Sequence, residues 1–182
     1  AAMETSEYLE QLLLRYEETY DIYKPYYIDG KEYPAYGYFT SDIREQNPGE
    51  NGKLWASAGY EHVLFLTADK ITQEHVNEAL TVISNYMEPR LVRKDGRNPD
   101  RKHLYSFLTV ILISQYPPDK NAIKAVKRYS FEKDYHFKLR GFCTGQLVLA
   151  SMEDQKIICS HSAEKKRSFL QKIFEGKNAV QS

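Results

Sequence analysis

The chain has 182 residues, 42% hydrophobic and 27% charged, a composition ordinary for a globular protein. Its 25 acidic and 25 basic residues cancel overall but not locally: residues 1–89 carry 16 Asp+Glu against 6 Lys+Arg, and residues 90–182 carry 9 against 19. No apolar run approaches the ~20 residues that span a bilayer, and the acidic N-terminus lacks a basic-then-apolar segment, so neither a membrane helix nor a signal peptide is expected.

In chain order, a first helix is expected over Ser6–Tyr20. Leu9, Leu12, Leu13, Tyr16 and Tyr20 recur at helical spacing, with Ser6 as N-cap and Glu7 in the first turn. Ala1 and Ala2 precede Met3, the expected native start. Asp29-Gly30 reads as a turn, and Tyr33–Ile43 and Lys53–Ala68 as an antiparallel hairpin around the turn-rich Glu45–Gly52. Gly59 is a candidate bulge or bend. Thr72 can cap a second helix, with Ile71 and Val76 as a hydrophobic staple. Val76, Ala79, Leu80, Ile83 and Met87 form its apolar face, and Pro89 marks its stop.

Arg90–His103 reads as a polar connector, where Arg90, Arg93, Lys94, Arg97, Arg101 and Lys102 face only Asp95 and Asp100. A domain boundary would fall here, but each half alone has few elements, so a single domain over 1–182 is expected. Leu104–Gln115 is apolar on both alternations, as in a central strand covered on both faces. After Pro117-Pro118, Asp119 can cap a short helix over Lys120–Tyr129. Tyr135–Phe142 then reads as a strand parallel to the central one through a right-handed crossover. Gln146–Met152 and Lys156–Ser160 form a hairpin about Glu153-Asp154-Gln155, and a last helix runs over Ser162–Glu175. The expected fold class is α+β. It has a mixed sheet with an N-terminal antiparallel hairpin, a central strand over 104–115, and a C-terminal βαβ unit plus hairpin, packed with about four helices.

Lys120, Lys124 and Lys127 align on one helix face with Arg128 beside them, opposite Ala122, Ile123, Val126 and Tyr129. Such a stripe suits phosphates or is a solvated helix face. Arg93, Lys94, Arg97 and Arg101 in the connector extend this candidate surface, and Lys165, Lys166 and Arg167 form a third basic segment. Nine of the fifteen tyrosines fall between Tyr8 and Tyr38. Tyr26, Tyr27, Tyr36 and Tyr38 are candidate binding residues, or belong to a sheet face built of a strand-favouring residue.

No catalytic set assembles. Asp134 with Asp154-Gln155-Lys156 satisfies a metal-nuclease string, but Asp154 falls on a turn. Cys159 near His161 lacks an oxyanion signature, and both Cys143 and Cys159 read as buried free thiols. The histidines at 62, 75, 103, 136 and 161 show no metal-ligand spacing. Gly141–Gly145 lacks the Lys-Ser/Thr of a phosphate loop and reads as a bulge and turn. No catalytic residue, metal or cofactor is expected.

Tyr8–Tyr16 (YLEQLLLRY) and Leu139–Val148 (LRGFCTGQLV), with the hairpin that follows, resemble uncharacterised small bacterial domains of unknown function. The resemblance implies a cytoplasmic bacterial protein and transfers no catalytic residue. The opposed charges and the tyrosine-rich acidic half lead to the expectation of a non-enzymatic cytoplasmic domain that binds a protein partner or itself, and no membrane. Nucleic-acid binding through Lys120–Arg128 and Arg90–Lys102 is the alternative. An enzyme with a site assembled from distant residues is the second.

Overall fold

Two βαβ units in series build the centre of the fold, in a computed structural model that describes residues 1–46 and 54–176. The chain begins with α1 (Thr5–Tyr16), β1 (Asp21–Tyr23), β2 (Tyr26–Ile28), β3 (Lys31–Tyr33) and β4 (Ala35–Gln46). Next come β5 (Leu54–Ala68), α2 (Gln73–Val82), a π-helix (Ile83–Val92) and β6 (His103–Ser114). The remainder is α3 (Lys120–Arg128), β7 (Glu132–Asp134), β8 (Phe142–Ser151), β9 (Lys156–Cys159), a 3₁₀ helix (His161–Lys166) and α4 (Arg167–Lys172). The loop expected at Glu45–Gly52 lies outside the described residues except for its first two positions.

The main sheet has the order β1-β4-β5-β6-β8-β7, with β9 also paired to β8, while β2 and β3 form a separate hairpin. β4 and β5 are antiparallel, and β5, β6 and β8 are mutually parallel neighbours. The fold is therefore α+β with a mixed sheet. β6 is the central strand, buried on both faces as its double alternation requires: Leu108, Val110 and Leu112 meet α2, the π-helix and α3, while Ile111 and Ile113 meet α1 and α4. Gly59 marks the bulge, since the β5–β6 register shifts between Ala58 and Gly59.

Five local expectations are corrected. α1 starts at Thr5 and ends at Tyr16. Its first N–H is satisfied by Gln115 Oε1 at 2.9 Å, a cap from 110 residues away. Glu17 and Glu18 at its end oppose the helix dipole and disfavour extension to Tyr20. Pro89 does not stop the second helix. The chain continues through it in π register, with the Arg93 N–H bonded to Glu88 O at 3.2 Å.

Asp119 does not cap α3 with its side chain, which instead pairs with Lys70 at 3.0 Å. Residues 135–141 are not a strand. His136, Phe137, Lys138 and Gly141 all take left-handed φ, and the strand parallel to β6 begins only at Phe142. Gly141 is required there, because a Cβ would sit 2.2 Å from Leu104 O. The last helix is divided, 3₁₀ first and α from Arg167. Among the described residues no helix is long and apolar enough to cross a membrane.

Candidate functional site

The α2 face of the sheet is covered by helices over the carboxyl halves of β5 and β6 but not over their amino ends. There the polypeptide leaving the π-helix arches across the strands and leaves a cavity of ≈ 600 Å³. Its floor follows from strand alternation and register. Thr40, Tyr60 and Ser106 stand abreast on β4, β5 and β6, and Tyr38, His62 and Leu108 form the next row. Leu91, Val92, Lys94, Pro99, Asp100 and Lys102 line the roof and mouth, and Tyr23 and Tyr26 close the β1 side.

The floor is a continuous aromatic surface. Tyr26 stacks on Tyr36 at 4.4 Å, Tyr36 lies 6.0 Å from His62, and Tyr38 lies 5.3 Å from His62 and 6.4 Å from Tyr60. Tyr60 in turn stacks nearly parallel on His103, 5.8 Å away.

Both imidazoles are oriented by hydrogen bonds. The Nδ1 of His103 lies 2.7 Å from Arg140 O, which fixes it as the donor, so Nε2 accepts from Ser106 Oγ at 2.7 Å. The Tyr36 hydroxyl, a better proton donor than neutral imidazole, donates to His62 Nδ1 at 2.6 Å and places the ring proton on Nε2. That Nε2–H has no protein partner among the described residues, where no fully buried side-chain nitrogen or oxygen is unpaired; it therefore faces the open cavity. Burial, and secondarily His103, holds His62 down at about 4. Burial also lowers His103 and raises Tyr26, Tyr36 and Tyr60. At neutral pH both imidazoles are therefore uncharged, with one imidazole N–H facing the cavity.

A buried carboxylate supports the floor from behind. Glu88 on the π-helix receives Arg93 at 2.7 and 3.1 Å, Lys133 at 3.1 Å and the Tyr135 hydroxyl at 2.8 Å. Burial alone would raise its pKa, but these hydrogen bonds outweigh it and hold the carboxyl below its usual range. Tyr135 packs edge-on to His103 at 5.8 Å, so the cluster fixes one wall of the floor.

Of the residues singled out in the sequence, Tyr26, Tyr36, Tyr38 and Lys94 line the cavity. Tyr27 points away, 59% exposed, with its hydroxyl 3.4 Å from Glu32. Arg93 is engaged with Glu88, while Arg97 and Arg101 are exposed on the connector. Lys120, Lys124, Lys127 and Arg128 lie on the outer face of α3, away from the cavity. Lys127 shares a shallow groove beside β9 with Lys156 and Arg167. The basic segments thus divide between the β9 edge and the amino ends of β5 and β6.

The nuclease string does not assemble. Asp134 pairs with the start of β8, and Asp154 follows its far end, where it accepts a hydrogen bond from Ser151. Cys143 and Cys159 are buried free thiols, each pushed by burial up to about 11. Among the described residues no three His, Cys, Asp or Glu are placed to hold a metal.

Sequence reasoning missed Tyr60, His62 and His103. Alternation on β5 could have placed Tyr60 and His62 on the face of Tyr36 and Tyr38, but His103 reaches them only through the β5–β6 pairing across α2. Residues 4–172 match a family described as Domain of unknown function (DUF8052). No curated protein and no solved structure matches the chain.

Proposed function

For a chain that belongs to the DUF8052 family, whose description carries no activity, we propose from the cavity that the protein binds a small planar heterocyclic molecule. The single observation that carries this reading is the tyrosine–histidine floor presenting the Nε2–H of His62 to an open cavity. Stacked neutral aromatics favour a flat π-surface, and a single inward donor reads one acceptor on its edge. A sugar is less well served. The hydroxyls of Tyr26, Tyr36 and Ser106 already have partners, and Leu91, Val92 and Pro99 would leave a polyol's donors unpaired.

The basic face proposed for nucleic acid is divided between two regions, and the tyrosines expected at a partner surface mostly line the cavity; both facts move support towards a small ligand. The test is a thermal-shift screen with nucleobases, nucleosides and other fused-ring heterocycles, followed by calorimetric titration. Tyr60→Ala and Tyr38→Ala should each weaken a hit by about 1–3 kcal/mol, the worth of one stacked ring. His62→Gln should weaken ligands that carry an edge acceptor. Hits whose affinity is unchanged in all three variants would refute the assignment, as would the absence of any hit.

A further inference from the structure

The cavity is electrically lopsided along its length, which narrows the ligand class if the heterocycle reading holds. Asp42 stands at the β4 end, while Lys94 and Lys102 stand with Asp100 at the connector end, which keeps a net positive charge. In the register, Asp42 is abreast of Ala58 and Ala58 of His103, two strand spacings or about 10 Å across.

The two lysines are available. Lys102 has no ion-pair partner among the described residues, and Lys94 meets Asp100 only at 3.5 Å, with both side chains mostly exposed. An exposed pair of that kind is worth about 0–1 kcal/mol and yields readily to a better anion. Arg140 reinforces the same end, its Nη1 donating to the carbonyl of the cavity-lining Pro99 at 3.2 Å. The acidic partners that neutralise other basic residues of this region lie elsewhere: Arg93 is held by Glu88 and Arg90 by Asp29.

We propose that the ligand is an anionic heterocycle whose phosphate or carboxylate sits on Lys94 and Lys102 while its ring stacks over Tyr38 and Tyr60. The far edge of the ring then lies towards Asp42, which accepts from an amino or hydroxyl donor. This rests on the heterocycle reading and adds charge, polarity and orientation to it. A ligand of this kind enters ring-first beneath the connector and leaves its anion at the mouth, where water and the lysines share its solvation.

Matched probes separate the two claims: adenosine with adenosine 5′-monophosphate for phosphate, and nicotinamide with nicotinate for carboxylate. Calorimetric titrations at low and high salt are compared for the wild-type chain, Lys94→Gln/Lys102→Gln and Lys124→Ala. The anionic member of at least one pair should bind about tenfold more tightly at low salt, a gain of about 1.4 kcal/mol. That gain should shrink at high salt. It should vanish in the double variant, survive in Lys124→Ala, and leave the neutral member's affinity unchanged throughout. All substituted lysines are exposed, so folding is preserved.

Equal binding of neutral and anionic members overturns the anion proposal and leaves the heterocycle reading standing; so does a gain that persists in the double variant. Failure of every probe, neutral and anionic, removes both.

Discussion

His62 is a buried histidine at the cavity floor: it is 5% exposed, it accepts from Tyr36 at 2.6 Å, and burial holds it at about 4 instead of 6.5. Between those two values the unfolded chain binds a proton that the folded protein refuses. Stability therefore is fully present above about 6.5, falls as pH drops, and bottoms out near 4. The contribution lost by about pH 4.5 is roughly 2–3 kcal/mol. Urea unfolding of wild type and His62→Gln at pH 7 and at about pH 4.5 reads this directly: the variant should show a smaller acid-induced loss by that amount. Identical losses would contradict the environment assigned to His62.

Elements are held by different means on the two faces of the sheet. Helix α3 turns Ala122 and Val126 into the core and its lysines outward, and β6 buries Leu112 completely. Leu112→Ala should cost about 2–5 kcal/mol, whereas Lys124→Ala should stay within about 0.5 kcal/mol; chemical denaturation distinguishes them.

The C-terminal helices have a polar clamp as well. Glu61, 4% exposed on β5, accepts from Thr109 Oγ1 at 2.7 Å and from the Tyr20 hydroxyl, and pairs with Lys166 at 2.7 Å. Lys166→Met strands that carboxylate and should cost on the order of 3 kcal/mol, partly recovered in Glu61→Gln/Lys166→Met. A single variant as stable as wild type would show that the clamp is incidental.

Elements were legible where period and boundary signals agree. Two alternating runs predicted the hairpin of β4 and β5, double alternation predicted central β6, and Thr72 with its staple predicted the start of α2. They were illegible where the deciding group lies elsewhere in sequence. Gln115 caps the first N–H of α1, and residues 136–138, next to a Tyr135 tied to Glu88 and Cys143, take left-handed φ against their strand-like pattern. The cavity divides in the same way. Tyr26, Tyr36 and Tyr38 were visible as a local cluster, but His62 and His103 meet only through pairing of β5 with β6.

At the scale of the molecule, the split of charge between the two halves has a concrete structural use. The acidic half contributes Glu61 and Glu88, both buried, and their ionic partners Lys166, Arg93 and Lys133 all come from the basic half. Arg90 with Asp29 adds a surface pair of the same sense. The halves share one sheet through β5 and β6, and both apolar layers draw on both halves. What positive charge is left near the cavity sits on the connector, where it can meet a ligand's anion.

The most direct measurement of ligand placement in the cavity is a ¹⁵N–¹H correlation titration of the full chain with the tightest-binding anionic heterocycle. Saturable shifts confined to residues 36–42, 60–62, 91–103 and 106 are expected, with the α3 face and the β9 groove unperturbed. Saturable shifts centred on Lys120–Arg128 or on the β9 edge, with the cavity silent, would contradict it.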